Sequence, residues 1–285
     1  MTEKDIEFYW VDIYSGSHKL VGRVFKPSAT AERIIVINAA TGIRQHYYEA
    51  FARWLSDAHN ALVLTYDYHD FGLSRTSKPI QNSRMSMSDW AINDQDAALK
   101  FAHKSYPDLP VWVIGHSLGG LMLRWHKHRN HVERYITVAS GPINTKDHPL
   151  AYLPFVLWFW YVSGPATVSI LGYLNGKLSG LGSDLPAGVF LQWRKWCTTD
   201  GFYEDEIGSS IPTRPEIGSM GPLKAIAIED DTMVPPATVR RIDNLYQGID
   251  IEHSLLKPSD FGLKRVGHYK VFSPACAAMW PAIVA

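Results

Sequence analysis

The stretch VIGHSLGG, residues 113–120, decides the fold, because glycines stand two positions before and after a central serine. A glycine inside a strand or helix costs about 0.5–1 kcal/mol relative to alanine, so Gly115 and Gly119 indicate that backbone segments pass very close together. G-x-S-x-G between a strand and a helix is typical of a nucleophile elbow, whose strained turn exposes the serine Oγ. We therefore predict that Ser117 is a nucleophile, followed by a helix over residues 118–128 with its positive end at the site.

Apolar strand-like runs alternate with amphipathic helix-like stretches along most of the chain, which is typical of an α/β fold. The continuously apolar runs favour strands buried on both faces of a mostly parallel sheet. The first two strands have no helix between them, so we expect an antiparallel hairpin at one edge of the sheet. The predicted strands cover residues 6–14, 19–25, 33–40, 61–68, 110–116, 134–140, 223–229 and 251–258, and the clearest helices cover 46–58 and 86–106.

Residues 142–221 interrupt this alternation, and we predict that they form a helical lid inserted into one α/β core, residues 1–141 and 222–285. The segment is rich in Trp, Tyr, Phe, Gly and Pro. Its run over residues 149–176 contains no Asp, Glu, Lys, Arg or His and is long enough to span a membrane. Because prolines and glycines interrupt the run, we expect no stable membrane span.

A serine nucleophile needs a histidine base and an acid that orients it, and after an elbow of this type the acid precedes the histidine. The acid is expected after the strand at 223–229, where Glu229, Asp230 and Asp231 compete. Asp231 is favoured because it lies four residues before Pro235, which opens the next helix.

The base is expected close to the C-terminus, and two histidines follow the acids. His268 lies in a glycine-containing loop before the last helix and is favoured over His253, which lies in the predicted final strand. His116, beside the nucleophile, is interpreted as structural. The oxyanion of a tetrahedral intermediate needs two donors. We predict the N–H of Leu118 and, from the loop NAATG, the N–H of Ala40.

Composition limits the partners and the compartment. The chain has 28 basic and 28 acidic residues and a formal net charge of zero, which argues against a nucleic-acid partner because phosphate binding needs excess positive charge. With only Cys197 and Cys276, free thiols in a reducing compartment are expected rather than a disulfide framework. The charged N-terminus has no apolar signal-peptide core. These features predict a cytoplasmic location.

Four motifs together resemble the α/β-hydrolase superfamily, in its esterase- and lipase-like branch. They are GHSLGG at 115–120, DYHDFGLS at 67–74, EDDTMVP at 229–235 and VGHYKVF at 266–272. The resemblance covers about residues 18–141 and 222–285. It implies a mostly parallel central sheet flanked by helices, a lid at the insertion, and neither a metal nor an organic cofactor.

The chain departs from the family pattern at two places. NAATG is similar to the oxyanion loop of homoserine O-acetyltransferase-like members, which have histidine where Asn38 stands, and family members usually have arginine and glycine at His69 and Asp70. The second departure affects a loop beside the site and not the triad. Residues 176–197 resemble a group of bacterial α/β-hydrolase-like proteins without a known substrate.

Three functions fit these features. The first is a serine hydrolase that cleaves a carboxylic ester, thioester or amide through Ser117, His268 and Asp231. The second, which NAATG favours, is an acyltransferase with the same triad, and the third is a non-catalytic binding protein on the same fold.

The aromatic residues of the insertion indicate the substrate class. Ligand sites are mostly apolar with few polar anchors, so we predict that Trp158, Trp160 and Trp193 bind an apolar acyl or aromatic group of a small-molecule substrate. The sequence leaves the oligomeric state open.

Overall fold

The computed structural model describes residues 7–216, 218 and 220–285, and it is built around an eight-stranded sheet. All eight predicted sheet strands are present. They are β1 (Phe8–Ser15), β2 (His18–Phe25), β3 (Arg33–Asn38), β4 (Ala61–Tyr66), β5 (Val111–His116), β6 (Val132–Val138), β9 (Leu223–Ile228) and β10 (Ile251–Leu256). A separate two-stranded sheet consists of β7 (Tyr173–Leu174) and β8 (Leu185–Pro186).

The strand order across the large sheet is β1-β2-β4-β3-β5-β6-β9-β10. β1 and β2 form the expected antiparallel hairpin, and β2 pairs antiparallel with β4. All other pairs are parallel. The central strands are buried along their length, as in β4 and β9, because helices cover both faces of such sheets. The prediction of a mostly parallel α/β sheet is confirmed.

In the part of the chain that the structure describes, eight α-helices connect and cover the strands. They are α1 (Glu49–Ala58), α2 (Gln95–Ser105), α3 (Leu153–Trp158), α4 (Gly164–Leu171), α5 (Ala187–Thr198), α6 (Pro236–Arg240), α7 (Ile242–Leu245) and α8 (Trp280–Val284). α1 buries Phe51 and Leu55. A π-helical turn, Asp89–Asp94, leads directly into α2.

The prediction of a helix over residues 118–128, after Ser117, is wrong. The chain instead forms short 3-10 turns, Ser117–Gly120 and Leu123–Trp125. The buried hydroxyl of Tyr246 donates to the Gly120 carbonyl oxygen at 2.7 Å and accepts the Leu123 N–H at 3.1 Å. Both backbone groups would serve an α-helix here, so the tyrosine replaces bonds that the helix would have made.

The predicted insertion leaves the sheet after β6 and returns at β9. These two strands are parallel neighbours, so the intervening chain makes an excursion that adds no strand to the large sheet. It contains α3, a π-helical turn at Phe159–Ser163, α4 and α5. The continuous helical stretch Leu153–Leu171 is long and apolar enough to cross a membrane, and a third of its most apolar part is buried. Its lid role stays a prediction.

Candidate active site

Ser117 lies at a sharp turn between β5 and the following 3-10 turn. Its φ is 53°, in the left-handed region that side chains other than glycine rarely adopt. A Cβ on Gly115 would collide with the Gly119 carbonyl oxygen, and one on Gly119 would collide with the Asn38 carbonyl oxygen. The two glycines are therefore required by close backbone approach, as the sequence indicates.

The structure brings His268 and Asp231 together. His268 Nδ1 lies 2.7 Å from Asp231 Oδ2, and both side chains are buried. The other oxygen of Asp231 accepts the N–H groups of Met233 and Val234 at 2.8 and 2.9 Å. The turn after β9 thus fixes the carboxylate, and the carboxylate fixes the imidazole with its proton on Nδ1.

Ser117 and His268 line one cavity of about 50 Å³. Within the part of the chain that the structure describes, no hydrogen bond joins Ser117 to His268. Catalytic hydrogen bonds are often long in unliganded enzymes and tighten when substrate binds. Ser117 and His268 thus share one cavity, and Asp231 holds the His268 ring at Nδ1.

The competing candidates have other roles. His253 Nε2 lies 2.7 Å from Asp243 on the protein surface. Glu229 is exposed. Asp230 accepts the N–H groups of Val266 and Gly267 at 2.8 and 2.9 Å. It holds the backbone of the His268 loop, a role that no pattern in the sequence signals.

The predicted oxyanion donors differ in their surroundings. Leu118 lines the cavity beside Ser117. Ala40 also lines it, but the Ala40 N–H donates to the Tyr48 hydroxyl at 2.9 Å, and Tyr48 is not part of the cavity wall. The Ala40 N–H thus already has an acceptor outside the cavity, and the prediction that it serves the oxyanion does not match this geometry. Thr41 lines the cavity too, and no acceptor for its N–H lies among the described residues.

A buried hydrogen-bond chain links this loop to the base. His116 Nε2 lies 3.0 Å from the His268 carbonyl oxygen, which can only accept, so Nε2 carries the proton. His116 Nδ1 then accepts from the Tyr48 hydroxyl at 2.8 Å. Burial lowers the pKa of His116 well below its usual value and keeps the ring neutral. The interpretation of His116 as structural fits this role.

The cavity wall is mostly apolar, and the insertion supplies much of it. Trp160 and Trp193 line the cavity, and their rings meet edge to face at 4.9 Å. Trp158 is 41% exposed and lines neither this cavity nor its neighbour, so the structure does not place it at the site as predicted. A helix presents only one side inward, and the sequence could not tell which tryptophan of this uniformly apolar run faces the site.

A second cavity, of about 100 Å³, adjoins the first and shares five lining residues with it. We call these five residues the junction: His148, Trp160, Trp193, Met233 and Tyr269. The inner cavity contains Ser117, and the outer cavity lies mainly between α3 and the turn at residues 179–181. The junction thus separates the cavity at the nucleophile from the cavity at α3.

Other polar groups lie away from this site. His69 lines a separate cleft, and its neighbour Asp70 has a φ of 57°, a conformation that glycine adopts more readily than other residues. Among the described residues, no group of three or more His, Cys, Asp or Glu side chains is placed to hold a metal ion. Cys197 and Cys276 are buried free thiols.

Comparison with known proteins identifies a family and several relatives of this chain. Residues 30–174 match the family described as serine aminopeptidase, S33. Human monoglyceride lipase is 32% identical over 100 residues, which are 34% of this chain and 31% of that enzyme. The mouse enzyme is 30% identical over the same shares. The matched region thus spans about a third of the length of these curated relatives.

Solved structures show the same fold. An esterase from Pyrobaculum calidifontis has a TM-score of 0.60 and 16% identity, over 99% of this chain and 86% of that one. An esterase from Pyrococcus furiosus has a TM-score of 0.59 and 14% identity, over 98% and 89%. The family match covers just over half of the chain, and the strand order and the nucleophile turn agree with it. The chain therefore belongs to the α/β-hydrolase family of the serine aminopeptidases, S33.

Proposed function

We propose that this protein is a serine hydrolase that cleaves a carboxylic ester with an apolar acyl or aromatic group. The observation that carries the proposal is that His268, which forms a buried hydrogen bond of 2.7 Å with Asp231, lines one mostly apolar cavity together with Ser117. Similarity to monoglyceride lipases supports an ester substrate. The structure-based neighbours named as esterases support the fold alone.

The geometry suggests a two-step reaction. Ser117 Oγ attacks the carbonyl carbon while His268 Nε2 removes its proton, and Asp231 stabilises the resulting imidazolium. The Leu118 N–H and a second N–H from the loop at Ala40 and Thr41 stabilise the oxyanion. His268 then gives the proton to the departing alcohol. In the second step His268 activates water, which hydrolyses the acyl-enzyme and regenerates Ser117.

Covalent labelling by a fluorophosphonate tests the nucleophile. We expect stoichiometric labelling of the wild type and none of Ser117→Ala, whose ester turnover falls by several orders of magnitude, since residual catalysis from other groups reaches only about 10³–10⁴-fold over water. Ser254→Ala, a change in β10 at the far edge of the sheet, is the matched control and keeps labelling. Labelling of Ser117→Ala at wild-type stoichiometry would remove Ser117 from this role.

An acyl-length series tests the apolar substrate. Each buried methylene contributes about 0.8 kcal/mol, so kcat/KM for p-nitrophenyl esters rises up to about fourfold per methylene from acetate until the cavities are filled. A steady fall from acetate onward contradicts an apolar acyl site. Adding candidate alcohols to the same assay distinguishes a transferase, which would form a new ester in place of the free acid.

A further inference from the structure

His148 stands out among the residues of the junction. It is half-buried and lines both cavities, yet it belongs neither to the triad nor to the oxyanion loop. It follows a 3-10 turn at Thr145–Asp147 that Asn144 caps, and Asp147 forms an ion pair of 2.7 Å with Arg241 of the core. The core therefore fixes the position at which this ring enters the cavity wall.

The tautomer of His148 follows from its partner. Nδ1 lies 3.0 Å from the carbonyl oxygen of Thr232, the residue next to Asp231. A carbonyl oxygen only accepts, so Nδ1 carries the proton and donates. Burial lowers the pKa of His148 below its usual value, so the ring is neutral at neutral pH. The second nitrogen, Nε2, is then a bare acceptor, and nothing among the described residues donates to it.

The rest of the junction does not offer such a group. The indole nitrogens of Trp160 and Trp193 only donate, and the hydroxyl of Tyr269 can do either. Burial raises the pKa of Tyr269, so this hydroxyl keeps its proton. Met233 has a weakly accepting sulfur. Among the five junction residues, His148 Nε2 is thus the strong acceptor that carries no proton. Unlike the Tyr269 hydroxyl, it cannot act as a donor instead.

A purely aliphatic chain passing His148 would displace water from Nε2 without donating a hydrogen bond in its place. Removing the partner of a buried acceptor costs more than a neutral exchange of partners, so a ligand with a donor at this place is favoured over its aliphatic counterpart. Sites built to pair a substrate hydroxyl discriminate more strongly than apolar pockets do. This asymmetry defines the substrate class.

We propose that His148 Nε2 is a specificity-determining acceptor that selects apolar esters bearing a hydroxyl group. The inference rests on the proposed function, since it places the hydroxyl within reach of an ester held at Ser117. The hydroxyl can belong to the alcohol or to the acyl chain of the ester. Both sources present the same O–H donor to Nε2, and the substrates below separate them.

The first experiment compares matched esters. Propyl octanoate is paired with hydroxypropyl octanoate, and methyl octanoate with the same ester hydroxylated at its chain end. For wild type, the hydroxylated member of one pair has the higher kcat/KM by about two- to tenfold, the range of one net hydrogen bond. In His148→Leu this ratio falls to one or below, and His148→Gln, whose amide oxygen can accept, restores part of it.

Met233→Leu is the matched control at the same junction. Whatever it does to the individual rates, the ratio within each pair stays at the wild-type value, because no acceptor of comparable strength is lost. If His148→Leu slows both members of each pair equally, His148 only supports the Asp231 loop and the proposal is overturned. A wild-type ratio of one in both pairs overturns it as well.

A binding experiment separates this proposal from the proposed function. Octanol and methyl heptyl ether are isomers of which only octanol has a donor. In calorimetric titrations, Ser117→Ala binds octanol about two- to tenfold more tightly than it binds methyl heptyl ether. The double variant Ser117→Ala/His148→Leu binds octanol and the ether equally. If the protein prefers octanol but hydrolyses no ester, His148 is an acceptor and the proposed hydrolase function is rejected. Equal binding in Ser117→Ala rejects the acceptor whatever the activity.

Discussion

Ser117 carries backbone strain that its replacement can release. A residue other than glycine in the left-handed region costs on the order of 1–3 kcal/mol, and Ser117 has a φ of 53°. Glycine adopts this conformation freely but loses about 0.5–1 kcal/mol to entropy. We expect Ser117→Gly to be inactive and to unfold at a higher temperature than Ser117→Ala, which keeps the strain. Equal midpoints in calorimetry would show that the turn is not strained.

The neighbouring acids Asp230 and Asp231 should separate activity from stability. Asp231→Asn should lower kcat by about 10⁴-fold, because the amide no longer secures the tautomer of His268. Asp230→Asn keeps an acceptor for only one of the Val266 and Gly267 N–H groups, so the free energy of unfolding should fall by about 1–3 kcal/mol with a smaller loss of kcat.

Measurements of kcat and of urea unfolding on both variants check this division. An Asp230→Asn variant as inactive as Asp231→Asn would mean that the two carboxylates act as one unit on His268. The sequence could identify Asp231 and His268 from their spacing. It could not show that Asp230 holds the next loop, since two adjacent carboxylates differ only in where the turn points them.

At the scale of elements, the segment after Ser117 shows where local pattern is insufficient. Its apolar residues favour a helix, and a helix is expected after an elbow. The hydroxyl of Tyr246, over a hundred residues away in sequence, donates to the Gly120 carbonyl oxygen and accepts the Leu123 N–H. The Tyr203 hydroxyl donates to the Leu121 carbonyl oxygen at 3.2 Å. Such long-range side-chain bonds override local propensity, which is a weak guide.

Removing the Tyr246 hydroxyl tests this explanation. Tyr246→Phe leaves one buried carbonyl and one buried N–H without a partner, which should lower the free energy of unfolding by about 1–3 kcal/mol. Urea denaturation measures the change. Tyr14→Phe, at a position 62% exposed, is the control and should change stability by less than about 0.5 kcal/mol. A Tyr246→Phe variant as stable as this control would mean that the segment forms its own helix instead.

For the whole molecule, Asp94 predicts how stability depends on pH. Desolvation by burial raises the pKa of Asp94 to about 7, above its value in the unfolded chain, so the folded state binds the proton more tightly. Its stabilising contribution is complete below about pH 4 and is lost as pH rises through about 7.

Asp94→Asn is neutral throughout and can still accept the His69 N–H, which Asp94 Oδ2 accepts at 2.8 Å. The free energy of unfolding of the wild type should therefore fall more steeply between about pH 5 and about pH 8 than that of Asp94→Asn. Urea denaturation at the two pH values gives the comparison. Parallel changes in the two proteins would show that Asp94 is ionised in the folded state already at the lower pH.

The sequence was informative about the sheet and less so about the insertion. Strands buried on both faces have a distinctive apolar pattern, and all eight were predicted, although their spatial order depends on pairings that no local pattern records. Residues 149–176 of the insertion carry no charged side chain, so buried and exposed positions of this run look alike in sequence. Trp160 and Trp158 illustrate this, since one lines the cavity and the other faces outward.

Two parts of the insertion, residues 149–186 and the segment around residues 212–215, are attached to the core by different interactions. Near its end, the Trp125 indole donates to the Pro212 carbonyl, and Arg124 Nε donates to that of Pro215. Of the described residues, those at 149–186 form hydrogen bonds only within the insertion. Moving that aromatic part away from the nucleophile would therefore break no hydrogen bond to the core.

Toward the core, apolar contact is what resists such a movement, and apolar contact has its own thermodynamic signature. It weakens on cooling and in solutions that solvate hydrocarbon, whereas ionic strength acts on exposed charges. If this part moves, its displacement should therefore respond to cosolvents that solvate hydrocarbon more than to ionic strength.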